Sequence, residues 1–285
     1  MKKIPIRYIN ATQNEPVLSE NFIIRDIRHL LAGKDMVQEL HRHDFFYMLA
    51  LKKGKGDHEI DFTPYKVCDY SVFLMRPGQV HQLSLKAGST GYLLQFRSGF
   101  YSAHDKSSNQ LLRKACNTNF YQPGANRFNK LFSVLTSVFQ EYTGKQEGYQ
   151  EVIKAYLGIL FTGVIRLNSK NDSHNVAPYT QERMEEFLEL LEMHIADHKK
   201  VSQYAGMLNL TPYQLNAITR TTLGKTCSEL ITEYMILEAR RYLLATSSQV
   251  NQIAFQLGYE DVSYFIRFFK KQTGYSPELF RHKFR

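Results

Sequence analysis

The chain has 285 residues, 43% hydrophobic and 22% charged, with no Trp and three cysteines. That exceeds the roughly 100 to 200 residues of a typical domain, so two domains are expected, and a stapled mini-protein or a wholly disordered chain is excluded. Lys plus Arg number 36 against 27 Asp plus Glu, leaving +9 and favouring an anionic partner. Cys68, Cys116 and Cys227 contain no Cys-x-x-Cys pair, which argues against a disulfide framework or a zinc finger.

Lys2 and Lys3 open the chain, but Pro5 and Arg7 interrupt it before an apolar run of about seven residues can form, so no signal peptide is expected. The longest nearly unbroken apolar stretch, Tyr156–Ile165, has ten residues, whereas a bilayer span takes about 20. These features predict a soluble, cytoplasmic protein with no membrane partner.

Five β-prone runs come first: Phe22–Arg28, Phe45–Leu51, His58–Phe62, Ser71–Met75 and Tyr92–Phe96, separated by Gly, Pro and Lys. They predict a β-sandwich or barrel. From about Asn126 the period changes: Phe128, Leu131, Phe132, Leu135, Val138 and Phe139 recur every three or four residues, and Val152–Leu167 follows as a second helix. In that helix Gly158 and Gly163 leave room for a neighbouring backbone. Asn168–Pro178, with three Asn, two Ser and a closing Pro, reads as a linker. Everything after it reads helical, starting with Thr180 as a cap and Met184, Phe187, Leu188, Leu191 and Ile195 on one face. Residues 199–285 carry twelve Lys plus Arg against six acids, and residues 1–178 carry 23 against 15, so charge alone does not locate a nucleic-acid site.

Within 199–285 a segment recurs. Gln203, Ala205, Leu208, Asn209 and Leu210 match Gln252, Ala254, Leu257, Gly258 and Tyr259 at an offset of 49, and Leu215, Ile218, Arg220 and Gly224 match Phe265, Phe268, Lys270 and Gly274 at 50. Each copy predicts a helix, a tight turn and a second helix, a helix-turn-helix. The small Ala lets the second helix cross closely, and Asn209 or Gly258 tolerates the left-handed turn. Thr211-Pro212 caps the second helix of copy one. Its outer face offers Tyr213, Gln214, Asn216, Ala217 and Arg220; the second copy offers Ser263, Tyr264, Arg267, Lys270 and Lys271. Such a helix fits the major groove, where Arg holds guanine, Gln or Asn holds adenine, and Lys neutralises phosphate. Between the copies, Thr226-x-x-Glu229 opens a helix running to about Ala245, with Leu230, Ile231, Tyr234, Met235 and Leu243 as its apolar seam. At ~30 Å it spans about one helical turn of DNA, so one chain could address two adjacent grooves.

Gly258-Tyr259, Ser263-Tyr264-Phe265-x-Arg267-x-Phe269-Lys270, Gly274-Tyr275-Ser276-Pro277 and Phe280-Arg281 follow a known signature nearly residue for residue. Over about residues 180–285 the sequence resembles the AraC/XylS-type family of bacterial transcription regulators. The resemblance implies a fold class of α+β: an N-terminal cupin-like β-barrel followed by helices (residues 1–167), a linker (168–178), and an all-α DNA-binding domain of two helix-turn-helix units joined by a long helix (179–285). Double-stranded DNA is the implied partner, through Thr211, Tyr213, Gln214, Asn216, Arg220, Ser263, Tyr264, Arg267, Lys270 and Lys271. Copy one departs from the pattern, with Ala217 where the family's base-reading Arg falls and Thr219 where its aromatic falls.

In the first half, His41-x-His43-Asp44 and Pro77-Gly78-x-x-His81 are similar to the two histidine motifs of cupins. Three imidazoles suit a divalent metal, but the glutamate of cupin metal sites is Tyr47 here, so no metal and no cofactor is assigned. The resemblance implies instead a small-molecule effector pocket lined by His41, His43, Arg76, His81, Tyr92 and Gln95, and a homodimer through 128–139 and 152–167. A one-component regulator without enzyme activity is the expected function. Two alternatives stay open: a cupin-like metal-dependent enzyme fused to a DNA-targeting domain, and a regulator without a small ligand, switched by a protein partner.

Overall fold

In a computed structural model that describes residues 6–7, 21–102, 105–168 and 177–284, the chain forms two units. One holds all the strands and the first five helices; the other holds the remaining helices. The predicted linker lies mostly outside the described residues.

The strands are β1 (Ile6–Arg7), β2 (Phe22–Asp26), β3 (Met36–His43), β4 (Phe46–Lys53), β5 (Gly56–Ile60), β6 (Thr63–Val67), β7 (Ser71–Met75), β8 (Val80–Leu85), β9 (Thr90–Phe96) and β10 (Phe120–Tyr121). They pair as two five-stranded sheets, β1-β3-β8-β5-β6 and β10-β7-β4-β9-β2, so the cupin-like domain is a two-sheet sandwich and not one closed hydrogen-bonded ladder. The strand predicted to run to Phe62 ends at Ile60, because Asp61 and Phe62 take φ of 47° and 66° in a turn.

Strand β4 explains the layering. Phe45, Tyr47, Leu49 and Leu51 join Ile60, Leu83 and Leu85 of the opposite sheet in a core between the sheets. The alternate residues Phe46, Met48 and Ala50 face the helices α4 (Ala125–Gly144) and α5 (Tyr149–Asn168) in a second core with Phe128, Leu135, Leu157 and Phe161. A strand buried on both faces reads as an unbroken apolar run, as this one does. Gly163 of α5 lets α4 approach, though what an added Cβ would meet is the Leu131 side chain at 2.6 Å, not a backbone. Three short helices complete this unit: α1 (Ile27–Leu31), α2 (Ser98–Ser102) and α3 (Lys106–Ala115).

The second unit contains α6 (Pro178–His194), α7 (Val201–Met207), α8 (Pro212–Leu223), α9 (Cys227–Ala245), α10 (Val250–Gln256), α11 (Val262–Thr273) and α12 (Pro277–Phe284). Thr180 therefore lies inside α6, not at its cap; the proline itself takes the first helical turn, where its missing N–H costs nothing. The helix pairs α7–α8 and α10–α11 close by the same bonds. Leu210 N–H and Tyr259 N–H donate to the carbonyls of Ala205 and Ala254, both at 2.9 Å, and Asn209 N–H and Gly258 N–H donate to those of Gly206 and Phe255 at 3.1 and 3.0 Å. This double closure around a left-handed residue is a Schellman turn, with φ of 54° at Asn209 and 70° at Gly258.

The two turns differ in one respect. A Cβ at Gly258 would sit 1.8 Å from the Ala196 carbonyl oxygen, whereas a Cβ at Gly274, which ends α11, meets nothing within 4 Å. Both glycines have positive φ. Gly274→Ala should therefore cost about 1 kcal/mol, the ordinary left-handed penalty, and Gly258→Ala clearly more. Urea midpoints of the two variants test this; equal losses would mean that the approach to Ala196 carries no constraint.

Candidate DNA interface and histidine cluster

Helix α8 starts with a capping box. Gln214 N–H donates to Thr211 Oγ1 at 3.2 Å, and Thr211 N–H donates to Gln214 Oε1 at 2.8 Å. Helix α11 starts on Asp261, which accepts from Ser263 N–H at 2.8 Å. Leu215 and Ile218 of α8, and Phe265 and Phe269 of α11, are buried, the last packing on Phe280 at 5.3 Å. The opposite faces carry Tyr213 and Tyr264, 84% and 55% exposed, and the exposed Arg220, Arg267, Lys270 and Lys271. Arg267 lies 3.8 Å from the Asp261 carboxylate, a loose contact between two exposed groups.

Three of the candidates in copy one, Thr211, Gln214 and Asn216, are already engaged. Asn216 Nδ2 donates to the Pro212 carbonyl at 3.1 Å, while its Oδ1 accepts the Cys227 N–H at 2.9 Å and so caps the first turn of α9. Gln214 is held by Thr211 as above. The groove between α8 and the start of α9 is instead lined by Tyr213, Ala217, Arg220, Thr221 and Ser228 around Asn216. Thr219, at the family's aromatic position, is fully buried. Arg281 of the family signature is a clamp: its Nε and Nη2 donate to the carbonyls of Leu243 and Ser248 at 2.9 and 2.6 Å.

In the sandwich, alternation along β3, β5 and β8 turns His41, His43, His58 and His81 inward, all 5% exposed or less. His81 Nε2 lies 2.7 Å from His43 Nε2 and 3.1 Å from His41 Nε2. On the other edge of that ring, His81 Nδ1 lies 2.9 Å from His58 Nε2. His41 Nδ1 is 2.6 Å from the Glu39 carbonyl oxygen, an acceptor only, so the proton of the neutral ring sits on Nδ1 and Nε2 is a lone pair. Tyr47 stacks on His43 at 5.6 Å, and Phe73 meets His58 at 4.6 Å. Burial, helped by repulsion from His41, pushes His58 down to about 3, so it stays neutral at physiological pH. Burial raises the Tyr47 hydroxyl above its ordinary value.

The other predicted effector residues divide. Gln95 is cross-strand to Ile23 and Tyr47, hence on the inter-sheet face, and lies 3.5 Å from Arg25. Tyr92 points the other way, onto Phe132 and Phe139 of α4 at 5.1 and 5.2 Å, and so does not join the histidines. Arg76 sits in the turn after β7, where its backbone N–H donates to Gln79 Oε1 at 2.8 Å. Sequence reasoning did not single out His58; its alternation with Ile60 on β5 was the available signal. It also passed over a groove of about 600 Å³ lined in part by Val37, Glu39, Asp57, Glu59, Lys66 and Gln82.

Residues 32–158 match the AraC-like ligand binding domain family and residues 204–283 match a helix-turn-helix domain family, together more than two thirds of the chain. The chain belongs to the AraC-type transcription regulators. Among similar proteins, the HTH-type transcriptional activator RhaS of Escherichia coli O6:H1 is 25% identical over 244 residues, covering 85% of this chain and 86% of that one. Of solved structures, unsaturated fatty acid bound ToxT from Vibrio cholerae is 17% identical over 95% of this chain and 97% of its own, with a TM-score of 0.41. The C-terminal domain of the response regulator yesN from Fusobacterium nucleatum is 27% identical over 35% of this chain and 98% of its own, with a TM-score of 0.34. This regulator accordingly pairs an N-terminal ligand-binding domain with a C-terminal helix-turn-helix domain, and no described helix is long and apolar enough to cross a membrane.

The Asn216 amide gives a direct check on the division of labour in copy one. Asn216→Ala should destabilise the regulator by about 1–2 kcal/mol, through two lost hydrogen bonds, and leave base preference unchanged. Urea unfolding and binding to a panel of single-base operator variants measure both; an altered base preference with unchanged stability would contradict the assignment.

Proposed function

We propose that residues 1–167 bind a small-molecule effector, that residues 179–285 dock α8 and α11 in successive major grooves of promoter DNA, and that residues 168–178 tether the two. The observation that carries this reading is the pair of exposed, separately capped helix faces, with Tyr213 and Arg220 on α8 and Tyr264, Arg267, Lys270 and Lys271 on α11. Arg267 is the principal base reader, because a guanidinium holds guanine O6 and N7 together, and its ion pair with Asp261 is a loose one. Lys270 and Lys271 hold phosphate. Thr211, Gln214 and Ser263 serve at the helix starts, and any polar base contact in copy one falls to Tyr213 and Arg220. Among the effector residues, His41, His43, His81 and Gln95 face the inter-sheet space. A cytoplasmic regulator without catalytic activity is the simplest setting for this arrangement.

We also propose a homodimer through α4 and α5. Ile159 is 57% exposed and Val152 38% on the outer side of α5, and Ile159 borders a groove with Leu131, Val134 and Gly163. Light scattering should give twice the 33.2 kDa chain mass, and Ile159→Glu should return it to the monomer; a monomer mass independent of concentration would remove the proposal.

Selecting bound fragments from a sheared genomic library with the full-length protein tests the DNA reading. Arg267→Ala should cost about 1–3 kcal/mol on the selected site and relax one base position, whereas Lys270→Ala should weaken all sequences alike and lower the salt slope by about 1. Equal losses on specific and random DNA for Arg267→Ala would refute base readout by this residue.

A further inference from the structure

We infer that Ala217 and Thr221 of α8 read thymine through its C5 methyl group, so that the two helix-turn-helix units recognise chemically different half-sites. The inference rests on the reading of α8 as a helix that enters the major groove, and it adds an apolar contact to the polar ones open to Tyr213 and Arg220.

Tyr213, Ala217 and Thr221 follow one another at four-residue steps along α8, all three are exposed, and all three line the groove beside the start of α9. Four-residue steps keep side chains on one face of a helix. The stripe runs about 12 Å along α8, the length of three to four base steps at about 3.4 Å each. At the repeat offset of 50 residues the same stripe in α11 is Ser263, Arg267 and Lys271, also exposed. One copy thus presents a hydroxyl and two cations where the other presents a phenol, a bare methyl group and a threonine.

That difference decides which base each stripe accepts. In the major groove guanine shows two acceptors, adenine an acceptor and a donor, and cytosine a donor; only thymine adds a methyl group to its acceptor. Ala217 has nothing to give a polar edge, and pressing it against guanine or adenine would strip water from groups left without partners. Against a thymine methyl the same Cβ buries apolar surface on both sides. Thr221, one turn further on, carries a second methyl together with a hydroxyl that suits a polar edge. The amides able to draw adenine to this face are taken: Gln214 Oε1 by the Thr211 N–H, and Asn216 by the Pro212 carbonyl and the Cys227 N–H. The Asn216 bond to Cys227 also ties α8 to the first turn of α9 beside the stripe. With thymine under α8 and guanine under α11, the chain docks on its operator in one orientation.

The test measures binding of the full-length protein to its selected site with each thymine replaced singly by deoxyuridine, which keeps base pairing and removes only the C5 methyl. The α11 half-site is the one whose base preference relaxes in Arg267→Ala. In the other half-site one or two deoxyuridines should weaken binding about 4-fold each, the effect of burying one methyl-sized group, and in the α11 half-site none should. There, 7-deazaguanine in place of guanine should weaken binding about 10-fold. Ala217→Gly, verified as folded by circular dichroism, should bind thymine and deoxyuridine alike at the responsive position. Ala217→Arg, which keeps a good helix former, should move the preference at that position from thymine to guanine. Deoxyuridine without effect throughout the α8 half-site would overturn the inference, as would a deoxyuridine effect that survives both Ala217 variants. If 7-deazaguanine weakens binding while deoxyuridine does not, the thymine assignment falls and the regulator reading stands; a protein that selects no site removes both.

Discussion

The DNA-binding unit depends on the angle at which α7 meets α8 and α10 meets α11, and each angle is set by one left-handed residue. Asn209 and Gly258 reverse the chain there, and the same two backbone bonds lock each reversal. Because Ala205 and Ala254 are nearly fully buried at the crossing, the second helix can sit close and turn its polar face outward. Caps then define where the exposed faces begin: Thr211 with Gln214 for α8, Asp261 for α11. Recognition chemistry is laid over this frame, and the same residue type serves either purpose according to position. Asn216 braces α9, whereas Arg267 extends from α11 with only a loose contact to Asp261.

The sandwich rests on a different constraint, the burial of β4 on both faces. One face requires a second sheet and the other requires α4 and α5, so the layer order follows from a single strand. Four imidazoles lie in the inter-sheet core so created. Polar groups are costly to bury there, and the imidazoles offset that cost through hydrogen bonds to one another. A ligand-binding domain that couples to DNA binding must respond to its ligand through differential contacts.

Much of the second helix-turn-helix was legible because its signature residues do structural work that few alternatives can do: Gly258 has no room for a Cβ, Phe269 fills a core, and Arg281 satisfies two carbonyls. Strand β4 was legible from its apolar run. Strand β3, Met-Val-Gln-Glu-Leu-His-Arg-His, was not, since its charged residues mask the alternation, and β6 and β8 are short with Pro64, His81 and Gln82 diluting the signal. Helix α3 escaped because, among its described side chains, only Leu112 and Ala115 are buried. At the sites, residue type indicated that Gln214 and Asn216 can hydrogen-bond a base; whether their amides were already taken depended on neighbours 3 and 11 residues away. His58 was hidden for the same reason: its partner His81 lies across a strand pairing that no local pattern announced.

The central claim is that one chain uses two helix-turn-helix units on one side of the duplex. Hydroxyl-radical footprinting of the full-length regulator on a selected site measures this most directly. The account predicts two protected blocks per chain with centres about 10–10.5 base pairs apart, one helical turn. A single block per chain, or two blocks at a spacing unrelated to the helical repeat, would contradict it.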